Sequence, residues 1–115
     1  MNMEYLHKQN YFFFAHKMVL FLEKYIKQHP MEQEAHFNLQ TIYDLFSHDR
    51  ASSTVNLEGI LNIVDEYLIN THQGIVNLVH EYDIHLDNHV LSLNFHPQAM
   101  QSVINGESVF FPKAA

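Results

Sequence analysis

Residues 57–82 read LEGILNIVDEYLINTHQGIVNLVHEY, and the fold class turns on how this stretch is divided. Taken as a helix, it sets Leu57, Leu61, Val64, Leu68, Ile75, Val79 and Tyr82 on one face, flanked by Ile60, Tyr67 and Leu78. Spacings of three, four and seven suit a 3.6-residue period. Gly74 is the weak point of that reading, because glycine lowers helix propensity. Asn70–Gly74 could end one helix and begin another, and Ile75–Tyr82 is rich enough in β-branched residues to be a strand. The reading adopted is one helix, with Gly74 as a kink or tolerated flaw. Ser53, Thr54 or Asn56 supplies its N-cap.

Working outward, residues 3–28 form the clearest helix. Tyr11, Phe14, Met18, Phe21 and Tyr25 step by three and four along one stripe. Tyr5, Phe12, Val19, Leu22 and Ile26 make a second stripe, and Leu6, Phe13 and Leu20 a third. A helix apolar over so much of its circumference is central to its own fold or shared with another subunit. The stripe Tyr11, Phe14, Met18, Phe21 and Tyr25 therefore has three readings: plain core, subunit interface, or an aromatic-lined ligand pocket with tyrosine hydroxyls as polar handles. Pro30 closes this helix. Ala35, Leu39, Ile42 and Phe46 then predict a second helix over residues 32–46.

On the other side, Leu91, Leu93 and Phe95 alternate with Ser92 and Asn94, which predicts a half-buried strand over 89–95. Residues 98–104 read as a short helix after Pro97, ended by Asn105-Gly106, and 108–111 as a second strand. The expected fold is mainly α, formally α+β: one domain over 1–115, with a three-helix core and a C-terminal strand–turn–strand tail. Two such short strands are marginal alone, so they must dock on the helices or pair across a dimer.

Composition limits the function classes. The chain has 115 residues, 47% of them apolar, with 9 Phe and 6 Tyr, enough for an ordinary core. Acidic residues number 13 against 6 basic, for a formal charge of −7, which argues against a nucleic-acid partner. Cys is absent, removing disulfides and thiolate chemistry. No apolar run is long enough for a membrane span, and no signal-peptide pattern or glycosylation sequon is found, so a cytoplasmic location is expected. The 10 His residues are many for this length. Protonating all of them would carry the formal charge from −7 to +3, so solubility is expected to change near pH 6.

Chemical motifs are few. Within the His80–His89 segment, His85, Asp87 and His89 would share a face if extended, as candidate ligands for a transition metal. A polar turn in a histidine-rich chain explains the same residues. Glu4-Tyr5-Leu6-His7 matches half of a di-iron pattern that has no second copy. No Gly-x-Ser-x-Gly or phosphate-cradling loop occurs, and Arg50 reads as a solvated loop charge. The residues thus lean away from an enzyme, and no cofactor is expected. The expectation is a small acidic interaction or regulatory protein of the helical-bundle type, acting by protein–protein binding and homo-oligomeric. The alternative is a small-molecule- or metal-binding module using the aromatic stripe or the His80–His89 segment.

Overall fold

The structure is a computed structural model that describes residues 3–46 and 54–112, with side chains over 11–46 and 57–112. The N-cap candidate Ser53, the Arg50 loop and the side chains of Glu4, His7, Thr54 and Asn56 lie outside the described residues, whereas the backbone of Thr54 and Asn56 is already helical.

The first helix, α1, spans Met3–Gln28. Ala15, Met18, Leu22 and Ile26 are fully buried along it, as the period requires. It stops just before Pro30, whose ring disfavours helical backbone in the preceding residue. His29 then stacks on the Tyr25 ring at 4.2 Å.

The chain is α+β, with four helices, a three-stranded and a two-stranded antiparallel sheet among the described residues, and not the three-helix core expected. It departs from that expectation at four places. First, residues 34–38 are a strand, β1 (Glu34–Asn38), and helix α2 is confined to Leu39–Asp44. Asn38 is the N-cap: its backbone is extended, and its Oδ1 accepts the Gln40 N–H at 2.8 Å. Ala35, Leu39, Ile42 and Phe46 are all buried as the helical spacing predicts. Phe37, off that stripe, is buried too, which a strand face through Ala35 and Phe37 explains.

Second, the long stretch is not one helix. Helix α3 covers Thr54–Val64, and the chain then turns into strands β2 (Leu68–Thr71), β3 (Gly74–Asn77) and β4 (Val79–His85). Gly74 has φ +110, which lies far outside helical backbone. It faces Thr71 across a hairpin whose loop is His72-Gln73. The Thr71 hydroxyl locks that turn, donating to the Gly74 carbonyl at 2.6 Å and accepting the Gln73 N–H. Burial separates the two readings: Ile75, on the supposed helical face, is 58% exposed, whereas Ile69, off it, is 0% exposed.

Third, the C-terminal element is no two-stranded pair. Strand β5 (Val90–Phe95) pairs antiparallel with β1 on one side and β4 on the other, giving sheet A the order β1-β5-β4. Leu91, Leu93 and Phe95 face inward with at most 1% exposure, as their alternation predicts. Fourth, residues 108–111 do not pair with β5. Phe110 makes an isolated antiparallel bridge to Leu68, with both backbone hydrogen bonds at 2.8 Å. Between them lies helix α4 (Pro97–Ile104), which begins with Pro97 and is closed by Gly106 at φ +99.

The layers pack through α1. Phe37 of the inner sheet face meets Phe21 at 5.2 Å and Tyr25 at 5.1 Å, and Phe95 lies 6.4 Å from Tyr25. Helices α3 and α4 both pack on α1. Gly59 permits a close approach of α3, since a Cβ there would sit 2.7 Å from the Tyr11 ring. One face of sheet A thus closes the core and the other carries polar side chains to solvent. No helix among the described residues is long and apolar enough to cross a membrane.

Candidate functional site

Two surfaces carry side chains that the core does not use. The first is the outer face of sheet A. Its register sets three rows across the strands: Glu34–Asn94–Glu81, His36–Ser92–Asp83 and Asn38–Val90–His85. Strand alternation places them there, since their neighbours Ala35, Phe37, Leu91 and Leu93 point into the core. A shallow depression of about 330 Å³ lies over these rows. His36 Nδ1 is 2.8 Å from Ser92 Oγ, while its Nε2 is 3.8 Å from Glu34 Oε1. Asn94 donates to Glu81 at 3.2 Å, and His85 Nε2 is 3.6 Å from Asp83.

Ser92, His36 and Glu34 have the residue types of an acyl-transfer relay. Such a relay also needs donors aimed at a developing oxyanion. Ser92 sits on the central strand, whose N–H groups are taken up by two ladders, and the His36 side chain is 58% exposed. The arrangement is that of cross-strand polar pairs that solvate an open sheet face.

The candidate metal ligands lie at and in the hairpin that joins β4 to β5. His85 ends β4 and turns back toward Asp83. Asp87 lies in the four-residue hairpin loop, as does His89, which adopts φ +59 while its carbonyl accepts the Leu39 N–H at 2.9 Å. Among the described residues, no group of three or more His, Asp or Glu is placed to hold a metal ion.

The second surface is the outer side of α1. The aromatic stripe singled out in the sequence faces inward: Met18 is fully buried, and Tyr11, Phe14, Phe21 and Tyr25 are packed against the core. Phe14 meets Phe46 at 4.9 Å. Tyr25 donates its hydroxyl to Glu32 at 2.7 Å, and burial together with that carboxylate pushes its pKa up to about 12. Among the described residues, three large apolar side chains of α1 stand outside: Phe12, 50% exposed beside the Phe111 ring, and Phe13 and Leu20, 57% and 51% exposed and two turns apart on another face. Lys17 lies with its Nζ 5.0 Å from the Phe13 ring centre, and Lys24 is exposed one turn past Leu20. Phe13 and Leu20 belong to the third apolar stripe read in the sequence, on a helix expected to be central to its fold or shared with another subunit. Lys17 and Lys24 fall on the same helical face, which sets this stripe apart from those that enter the chain's own core.

A third feature concerns pH. The rings of His80 and His96 meet edge to face at 4.8 Å. Burial, and then the charge of His80, lower the His96 pKa below its ordinary 6.5. The fold therefore prefers neutral His96. The stability tied to that preference is present above pH 6.5 and is lost as pH falls through the lowered value. The melting temperature of His96→Gln is accordingly expected to drop less between pH 7.5 and 5.0 than that of the parent. Parallel melting curves would show that His96 plays no such part.

Comparisons with protein-family models, with curated proteins and with solved structures find no match.

Proposed function

We propose that this protein is a small binding module that acts by protein–protein contact and self-associates through the outer face of α1. The observation that carries the reading is the exposure of Phe13 and Leu20 in the middle of a long helix, on a face flanked by Lys17 and Lys24. Large apolar side chains grouped on one exposed face favour a covering partner.

Charge and register point to a second copy as that partner. Two α1 helices laid antiparallel, with the two-fold axis between Lys17 and Leu20, bring each Phe13 opposite Lys24 of the other copy. Each Leu20 then meets the aliphatic stem of the other copy's Lys17. Both contacts are favourable, one as a cation–π pair and one by apolar burial. The face is thus self-complementary, as a two-fold interface requires.

The test is Phe13→Lys combined with Leu20→Lys, both outside the core. In the pairing described, each new lysine faces an existing one. Light scattering at high micromolar concentration is expected to give twice the chain mass for the parent and a single chain for the variant, with unchanged circular dichroism. A monomeric parent would overturn the reading. So would a variant that still dimerises.

A further inference from the structure

Sheet A ends at β4, which pairs with β5 on one side and with no strand on the other among the described residues. An edge strand presents a row of open N–H and C=O groups. Proteins commonly block such edges with lysine, proline or a bulge. The irregularity in β4 lies between Val79 and Glu81. From Glu81 to His85 the ladder to β5 is regular, and the segment contains neither lysine nor proline.

Helix α3 lies beside this edge. The Tyr82 hydroxyl donates to Asn62 Oδ1 at 2.7 Å, tying the strand to the helix. A groove of about 200 Å³ is lined there by Glu58, Tyr82, Asp83, Ile84 and Leu86. Tyr82 and Ile84 are half-buried against the core, and Leu86 is 60% exposed. The rim is acidic. Glu58 and Asp83 line it, Glu81 lies on the outer face, and Asp65 is near enough to Tyr82 to act on its hydroxyl together with Glu58. No lining residue is a cation, and every lysine with a described side chain lies on α1.

We propose that the β4 edge is a peptide-binding site, taking an extended segment of alternating apolar and basic residues as a fourth strand of sheet A. The backbone of the segment bonds to the open edge of β4, the recurrent mode of strand addition. Its side chains alternate between two faces. Those on the inner face cover Tyr82, Ile84 and Leu86. Those on the outer face stand beside Glu81 and Asp83, where lysine or arginine is favoured. A second copy is the poorer occupant, because it brings the same carboxylates to the same edge. Nucleic acid is excluded by the sign of the charge. The site shares no residue with the α1 face, so the two readings can fail separately.

The experiment uses the full chain and a fluorescent, end-capped heptapeptide of alternating lysine and valine, followed by polarisation at low salt. Saturable binding is expected, with increased hydrogen-exchange protection of the β4 amides. N-methylation of alternate peptide amides removes the strand bonds and should weaken binding about tenfold or more. Glu81→Lys with Asp83→Lys, both on the solvent face, should weaken it to a similar extent at unchanged melting temperature. The Phe13→Lys/Leu20→Lys variant should bind as the parent does. Equal binding of the N-methylated peptide would overturn the proposal, as would protection elsewhere than β4 or the absence of saturable binding. Peptide-induced dissociation of a dimer would also overturn it, since β4 would then be where the two copies meet.

Discussion

Phe95→Ala is expected to lower the unfolding free energy by about 3–5 kcal/mol, the usual cost of emptying a buried phenylalanine site. Phe95 is 0% exposed and ends the central strand of sheet A. Its ring lies near Tyr25 of α1, its residue pairs with Val79 of β4, and its N–H bonds to the Gln33 carbonyl at 2.9 Å. A cavity there loosens the sheet from the helix on which it packs. Domains of this size have about 5–15 kcal/mol in total, so a large fraction of that stability goes with one ring. Urea unfolding of parent and variant measures the difference directly. A loss below about 1 kcal/mol would mean that the site collapses and that Phe95 is no keystone of the core. Met31→Ala is the control, because that side chain is 92% exposed and lies outside α1.

Deletion of residues 107–115 is expected to be at least as damaging. Val109, Phe110 and Phe111 are each partly buried. Phe111 meets Tyr67 at 5.3 Å and Phe12 at 5.6 Å, so the tail joins α1 to the segment that follows α3. Phe110 holds β2 by two backbone hydrogen bonds, and the Val109 N–H bonds to Glu23 of α1 at 3.3 Å. Half-burial of three large apolar side chains is worth roughly 2–4 kcal/mol. The two backbone bonds add about 1 kcal/mol each. Thermal melting should therefore fall by well over ten degrees, at the 4–8 °C per kcal/mol typical of small domains. A truncated chain that melts like the parent would make the tail a peripheral arm.

Local chemistry settled several elements in advance. The 3.6-residue recurrence through Met18, Leu22 and Ile26 and the break at Pro30 specify α1, because a long amphipathic period and a proline act within one segment. Leu91, Leu93 and Phe95 specify β5 for the same reason, at period two. The start of α4 at Pro97 and its stop at Asn105-Gly106 follow from backbone preference alone. Asn38 and Gly74 were equally local signals. Asn38 is a preferred N-cap, and its neighbour Phe37 breaks the helical stripe; Gly74 precedes a β-branched run. Both were outvoted by apolar spacings that helices and strands can share.

Tertiary contact decided the remainder. Leu57 to Tyr82 shows seven apolar positions on a helical face, yet β2 to β4 form there. A strand needs a partner distant in sequence, and such partners leave no mark in a local window. Leu68 finds Phe110, and β4 finds β5, which in turn finds β1. Which α1 stripe points outward was fixed in the same way. Sheet A covers the side bearing Phe21 and Tyr25, α3 approaches at Tyr11, and Phe111 caps Phe12. Phe13 and Leu20 are left on the uncovered side, and Phe12 stays half exposed beside Phe111. That β4 pairs on one side alone among the described residues is likewise a property of strand order, which a period of two cannot encode. Periodicity names the face of an element that seeks cover, and the packing of distant elements determines which faces receive it.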